Sequence, residues 1–394
     1  MDFTPIIPIK SSRPISNTLL EKAERLFETS VALTGGHTQS TLDAVRELLR
    51  NINSYYSNKI ESEGTRPIDT ERAMREEFDT DTTKRSLQIL SLAHIETQKM
   101  IEQEITQEGF SPYEADFICH THGYLYSQKG LEAFLHIDKL DEDMVPGQLR
   151  KHRVSVGDHD APIGDELPSL MHKFGLLYKE GLHGAKSLKL IYALASHHRL
   201  TYLHPFLDGN GRTSRLVLDA AIYKAGMKGY GLWNISRGLA RSGDKYKEML
   251  AYADMPNQGV TDGTGALSAN ALEVFVEYML DTAQDQVDYM SKYLQLDSMS
   301  ERIEKYVKRS QYGDFDIEPL PKDSEKIFKE LLLKGEFKKR TEIDDILGVS
   351  RRKSTEVTKD LLEREYLQTE GHKSPIRLKI NTHLAKYIFP ELQD

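Results

Sequence analysis

The twelve residues His204-Pro-Phe-Leu-Asp-Gly-Asn-Gly-Arg-Thr-Ser-Arg215 constrain the fold more than any other stretch of the chain. They follow a helical pattern at Ser187–Tyr202, and a second begins around Arg212, where "RTSRLVLDAAIYKAG" runs on to Gly226. The chain must therefore pass from helix to helix through a short glycine-bearing turn. Gly209 and Gly211 permit positive φ there and let a ligand come close to the backbone.

Successive N–H groups in such a turn form an anion-binding concavity, and a helix N-terminus adds partial positive charge. Asp208 beside it is a hard oxygen ligand suited to Mg2+ that already carries phosphate oxygens. Arg212 and Arg215 lie three apart, hence on one helix face, where they can clamp further phosphate oxygens. His204 is the nearby group whose ordinary pKa lies close to neutrality, which makes it the natural general base. Together these parts describe a site for a metal-bound nucleoside polyphosphate with a base aimed at an incoming hydroxyl. The same letters also describe a solvated turn with charges around it, and the segment alone leaves both readings open.

The rest of the chain limits the surroundings. At 394 residues it is long enough for two or three domains. A net charge of -9 argues against the whole chain being a nucleic-acid or membrane-surface protein. The single cysteine, Cys119, excludes an intrachain disulfide and leaves no thiolate zinc site. The start lacks a signal-peptide pattern, and no apolar run approaches the ~20 residues of a membrane span. A cytoplasmic location without a membrane partner is expected.

The elements read as mainly α. Leu42, Val45, Leu48, Leu49, Ile52, Tyr55, Tyr56 and Ile60 fall at helical spacing, in a helix that stops near Gly64 and Pro67. A second pattern covers Thr83 to about Gln107. A third opens with Ser111 as N-cap and Pro112 at the first helical position. Residues Gln148 to Ile163 break the pattern: "RVSVGDHDAPI" alternates at Val154 and Val156 and reads as a short hairpin. Helix resumes at Asp165–Tyr178. Past a glycine-rich break at Gly259–Asn270, one long helix is expected from about Ala271 to Arg309. The pairs at His120–His122 and His197–His198 read as helix-face residues rather than metal ligands.

"HPFLDGNGR" resembles, at every position, the signature His-Pro-Phe-x-Asp/Glu-Gly-Asn-Gly-Arg of the Fic family, and the likeness extends over roughly residues 30 to 260. The resemblance implies a Fic-type helical bundle with the motif between two central helices. It also implies transfer of AMP from ATP to a Ser, Thr or Tyr hydroxyl of a target protein, with Mg2+. Position by position, His204 would deprotonate the hydroxyl and Asp208 would hold the metal. Asn210 and the amides of Gly209 and Gly211 would contact phosphates, and Arg212 would bind the polyphosphate. Pro205 and Phe206 would set the turn. Kinase-like relatives carry lysine where this chain has Gly211. The hairpin, at Val154, Ser155, Val156 and Gly157, resembles the flap that docks the target as an added strand, by β-augmentation. Tyr246, in "DKYKEMLAYAD", resembles an adenine-side residue, although Lys247 and Asp254 depart from the family pattern.

A second constellation lies upstream. Ser57 and Glu61 are four apart on one helix face. They match the family's self-inhibitory Ser/Thr-x-x-x-Glu, while Ser62 departs from the Gly or Asn that usually follows. The implied brake is a swap of charges: Glu61 pairs with Arg215 in the place of the γ-phosphate, because one arginine fork cannot hold both. The same carboxylate could orient water for de-AMPylation.

After a linker at "YGDFDIEPLPKD", residues 322–381 pattern as helix, helix, helix and two short strands, a winged-helix arrangement. Ile327, Leu331, Leu332, Val357, Leu361 and Leu362 point inward, Gly348 ends the second helix and Ser350 caps the third. This unit holds fifteen Lys/Arg against twelve Asp/Glu, a net of +3, which leaves -12 for the remainder. Arg351, Arg352 and Lys353 open its third helix, where a DNA-binding module needs cations, and a protein or dimer contact fits as well. The resulting division is 1–110, with an inhibitory helix at about 39–63; a Fic core at 111–258; connecting helices at 265–312; and the winged helix at 322–381. Alternative functions are a nucleotide-sensing DNA-binding regulator, or the same site with another nucleotide donor. Partners on this reading are a protein with an exposed hydroxyl, DNA or protein at the winged helix, and a second copy in a homodimer.

Overall fold

The structure is a computed structural model that describes residues 5, 8–9, 14–156, 159–371 and 373–394. Helices α1 (Asn17–Ala32) and α2 (Gln39–Ile60) are each capped by a hydroxyl, Ser16 and Thr38, that accepts a first-turn N–H. They are followed by α3 (Pro67–Met74), α4 (Thr82–Glu104) and α5 (Ala115–Tyr126). Two small antiparallel hairpins come next, β1 (His136–Ile137) with β2 (Glu142–Asp143), and β3 (Ser155–Val156) with β4 (His159–Asp160). The bundle is completed by α6 (Leu167–Gly181), α7 (Lys186–Leu203), α8 (Asn210–Lys224), α9 (Ile235–Arg241), α10 (Gly243–Ala253), α11 (Ala269–Tyr293) and α12 (Leu296–Gln311). A C-terminal unit holds α13 (Ser324–Lys334), β5 (Glu336–Phe337), α14 (Thr341–Leu347), α15 (Arg351–Glu363), β6 (Leu367–Gln368), β7 (Ile376–Leu378) and α16 (Thr382–Ile388).

Helix α7 is the hub. It is buried on nearly every side, through Leu190, Ala193, Leu194 and Leu200 and also through His197, His198 and Arg199. A helix apolar all round belongs in a core, and α7 packs against α1, α6, α8 and α11.

Helix α2 is built differently. Its face toward α4, α8 and α9 buries Asn51, Asn53, Ser54, Ser57 and Asn58 together with Leu48, Leu49 and Ile52. Buried polar groups need partners. Asn53 donates to Gln98 Oε1 (2.9 Å) and Asp219 Oδ2 (3.0 Å), Ser54 donates to Ser91 O (2.9 Å), and Asn51 to Pro67 O (2.9 Å). The C-terminal unit covers α2 from another side. The Tyr56 hydroxyl donates to Asp394 O (2.7 Å) and reaches Leu392 O (3.2 Å), and Thr41 Oγ1 donates to Leu332 O (3.5 Å). The buried Glu71 carboxylate on α3 accepts the Thr382 N–H (3.1 Å) and its hydroxyl.

The C-terminal elements run helix, strand, helix, helix, hairpin. Their antiparallel sheet has the order β5-β7-β6, with Phe337 opposite Ile376 and Leu367 opposite Leu378. Ile327, Phe328, Leu331, Ile343 and Leu361 fill its interior.

Several expectations need correction. Helix α5 starts at Ala115, not beside Ser111, because Pro112 and Tyr113 make a turn that drives the fully buried Tyr113 ring against Tyr178, 5.7 Å between centroids. Pro67 is the first residue of α3 rather than punctuation alone. The long helix over 271–309 is two helices, broken at Leu294–Gln295. Gln295, at φ -55° and ψ 123°, leaves helical geometry and interrupts the backbone ladder between the two. The C-terminal unit gains a third strand, β5, and α16 lies beyond residue 381. Leu362 is only half-buried, and Ser350 makes no side-chain cap bond.

One prediction concerns the hold on α2. Tyr56→Phe should cost about 0.5–1.5 kcal/mol, the net value of a hydrogen bond. Urea unfolding reads that loss, and an unchanged midpoint would show that the C-terminal residues do not brace the helix.

Candidate active site

The turn between α7 and α8 is stabilised from several sides. His204 caps α7 in the left-handed region, φ 46° and ψ 61°. That conformation is costly for a residue with a Cβ, so the surroundings must hold it. Arg150 donates to the carbonyls of His204 (2.6 Å) and Leu203 (3.2 Å). Phe206 is fully buried and stacks on His122, 3.9 Å between ring centroids. His122 accepts the Gly147 N–H at Nδ1 (2.8 Å), so its Nε2 carries the proton it offers to Asp208 O (3.2 Å). Burial holds the His122 pKa down to about 4, consistent with a neutral ring. Gly209 has φ +73°, and a Cβ there would strike the Tyr126 ring.

Asn210 is placed otherwise than expected. Its side-chain amide accepts the Phe206 N–H (2.9 Å) and donates to Phe206 O (2.8 Å). Both ends of the amide close the turn, so Asn210 shapes the loop. The first N–H groups of α8 have no partner within the helix.

The end of α2 lies over this turn. Arg215 is 2% exposed at its side chain and donates to Ser57 Oγ (3.0 Å), Ser57 O (2.8 Å) and Glu61 Oε1 (2.7 Å). Arg212 donates to Asn58 Oδ1 (2.8 Å), to the Tyr126 hydroxyl (3.0 Å) and to Glu63. Burial pushes the Glu61 carboxyl up, but Arg215 and Arg212 outweigh it and hold its pKa below the usual carboxylate value. At Glu63 the balance reverses: burial, with Asp208 and Glu61 nearby, raises it in spite of Arg212. Gly211 lies directly under the Glu61 carboxylate, where a Cβ would meet both Glu61 Oε1 and Arg215 Nη1. The predicted Ser57, Glu61 and Arg215 thus converge. Asn58, Glu63, Tyr126, His122 and Arg150 join them without having been foreseen. Only the second acidic residue in "ESEG" gave any hint.

A cleft of about 730 Å³ opens beside the turn, lined by His159, His198, Tyr202, His204, Lys247, Leu250 and Asp254 among others. Burial, with the Arg150 cation adding to it, pushes the His204 imidazole down to about 4, so the ring is neutral at pH 7. Asp254 lies 3.1 Å from His198 Nε2. Tyr246 does not line this cleft. It is 3% exposed and its hydroxyl meets His197 Nε2 at 2.7 Å, so it is a core aromatic beneath the site. His197 and His198 are likewise interior rather than on an exposed helix face.

The β3–β4 hairpin stands at the rim. Ser155 pairs with Asp160 and Val156 with His159, and Val154 O accepts the Ala161 N–H (3.1 Å). Gly157 lies outside the described residues. Asp208 stands exposed at the turn. Among the described residues no group of three or more His, Cys, Asp or Glu is placed to hold a metal ion. A single carboxylate at the mouth of an anion site fits Mg2+ in its common mode, shared with phosphate oxygens and water.

Residues 112–222 match the family described as Fic/DOC. The chain is 35% identical over 91 residues to a protein adenylyltransferase Fic of Drosophila ananassae, and 36% identical over 95 residues to that of Drosophila willistoni. Each match covers 23% of this chain and 17% of the relative, so the chain spans about a sixth of the curated relatives it matches. In fold it is similar to a Fic family protein from Desulfovibrio desulfuricans G20, with a TM-score of 0.54 at 16% identity over 94% of this chain and 98% of that one. It is also similar to a Fic domain containing signaling protein from Bacteroides thetaiotaomicron VPI-5482, with a TM-score of 0.53 at 18% identity over 69% of this chain and 96% of that one. The chain is mainly helical, with small antiparallel sheets, and carries a Fic/DOC-family domain over residues 112–222.

Proposed function

We propose that this chain transfers AMP from ATP to a hydroxyl side chain of a protein, itself included, and that Glu61 holds the reaction down. The observation that carries the reading is the Glu61–Arg215 pair lying over Gly211, at a turn whose His204 faces an open cleft. The first amides of α8, with Arg212 and Arg215, bind the phosphates. A target hydroxyl enters from the hairpin side, its backbone laid along β3 from Val154 to Val156. Its oxygen attacks the α-phosphorus while His204 takes its proton, the bond to the β-phosphate oxygen breaks, and pyrophosphate leaves. Asp208 is the residue that would hold Mg2+, which supplies charge neutralisation to the polyphosphate.

With α2 in place, Glu61 occupies part of the arginine fork. The γ-phosphate is displaced, and the α-phosphorus is not presented in line to the hydroxyl. The C-terminal unit, read as a winged helix, is proposed to contact protein in preference to DNA. Its candidate cations are engaged locally: Arg351 pairs with Asp344 at 2.7 Å, and Arg352 and Lys353 both pair with Glu356 at 3.3 Å. A cytoplasmic setting and the domain division remain parts of this proposal.

Two experiments test it. Wild type, Glu61→Gly and His204→Ala are incubated with ATP and Mg2+ and weighed intact. One added AMP in Glu61→Gly alone is the expected result. Equal labelling of wild type and Glu61→Gly removes the brake, and no labelling of any form removes AMP transfer, after which GTP, UTP and CDP-choline are tried in turn. The second is a pH profile of Glu61→Gly self-labelling. A base with its pKa near 4 is already deprotonated well below neutrality, so the rate should not fall between pH 7.5 and about 5.5. An acid limb at the ordinary imidazole value of about 6.5 would contradict the assigned state of His204.

A further inference from the structure

Arg150 is a buried cation with no carboxylate in its hydrogen-bond set. It is 2% exposed, and its guanidinium is engaged by backbone carbonyls. Nε donates to His204 O (2.6 Å), Nη1 to His152 O (2.7 Å), and Nη2 to Pro162 O (2.7 Å) and Leu203 O (3.2 Å). Its own backbone N–H donates to Pro205 O (2.9 Å). His152 and Pro162 are the two legs of the β3–β4 hairpin, one on either side. Leu203, His204 and Pro205 are the start of the α7–α8 turn. One planar fork therefore ties both legs of the hairpin to a turn with which they form no ladder.

Both things it joins need an outside hold. His204 sits at φ 46° with a Cβ, a strained state that persists only where neighbours over-determine it. The hairpin has two residues per strand, far too short to be stable alone. Near its tip, His159 Nε2 reaches Tyr202 O at 2.8 Å, a second tie to the same helix end. At its root, Gly164 packs so closely on the Lys151 backbone that a Cβ would collide with it. The hairpin is thus closed on itself at its root and tied, through Arg150 and His159, to the segment that carries the proposed base.

We propose that Arg150 is a positioning residue that sets the target-docking hairpin and His204 in one fixed arrangement, so that a hydroxyl laid along β3 arrives at the imidazole. This rests on the proposed AMP transfer for its consequence, but not for its geometry. Arg150 touches neither cleft nor phosphate site. It acts through the carbonyls that it gathers. Lysine cannot replace it fully, since a point ammonium cannot address four carbonyls in the plane of a fork.

The test uses the full chain in the Glu61→Gly background, with Arg150→Lys and Arg150→Met added singly. Hydrogen exchange is followed at amides 153–163 and 203–209 against the interior of α7 and α11. Self-labelling is followed as its rate at saturating ATP and as the ATP concentration giving half that rate. Exchange in Arg150→Met should rise about tenfold or more in both segments together, with α7 and α11 unchanged. The saturated rate should fall between about tenfold and about a hundredfold, the effect of roughly 1 Å of misplacement. The half-saturating ATP should stay within about threefold, because the arginines of α8 are untouched. Arg150→Lys should fall between parent and Arg150→Met, and it carries the test alone if the methionine variant does not fold. A rise confined to one segment, unchanged exchange, or rate and half-saturation shifting in step would overturn the proposal. If the Glu61→Gly parent itself transfers nothing, AMP transfer is wrong, and the paired exchange response still decides whether Arg150 couples hairpin to turn.

Discussion

Two arginines buried in the first turns of α8 set the terms for everything around them. Arg212 and Arg215 are 3% and 2% exposed at their side chains. A charge taken out of water must be paired, and removing one partner of a buried pair costs about 3–5 kcal/mol. Ser57 and Asn58 of α2, with Glu61 and Glu63 just past its end, meet that demand. This accounts for the buried Ser57 and Asn58 at the end of α2, while Asn51, Asn53 and Ser54 bond to α3, α4 and α8. A polar face holds its helix through geometry-dependent hydrogen bonds, and the bracing of α2 by the C-terminal residues through Tyr56 and Thr41 adds to that hold. On the proposed function, a nucleotide's terminal phosphate is the other group able to satisfy Arg215. Inhibition and catalysis then become two ways of neutralising one cation.

The turn that presents these arginines is itself over-determined. Asn210, His122 and Tyr126 hold it from within the bundle, and Arg150 holds it from the hairpin side. α2 thus acts on the charges at the helix start, whereas Arg150 acts on the shape of the chain leading to His204. The two controls meet in a segment of about a dozen residues, and they differ in kind. On the proposed function, one gives way to a competing anion, whereas the other is a permanent tie.

Much of this was legible in the sequence where local rules govern. Glycine at 209 and 211, the helical periods on both sides, and the four-residue spacing of Ser57 and Glu61 all follow from backbone freedom and helix geometry. The hairpin showed itself through alternation at Val154 and Val156. What the sequence did not disclose depends on distant chain segments meeting. Arg150 lies 54 residues before the carbonyl of His204 that it binds, and Asn58 lies 154 residues before Arg212. The Asn210 amide can serve a ligand or the backbone, and its bonds to Phe206 become visible only in the folded turn. Tyr246 was assigned to the ligand although its partner, His197, lies on α7 inside the core. The break at Leu294–Gln295 had no glycine or proline to mark it.

The central claim is that Glu61 and a terminal phosphate compete for Arg215. Calorimetric titration of ATP and of ADP into wild type and Glu61→Gln tests it most directly, since only ATP carries the competing group. The account predicts that the substitution tightens ATP binding by about tenfold or more, a difference of ~1.4 kcal/mol, while ADP changes by less than about twofold. Equal changes for both nucleotides, or none for either, would contradict it.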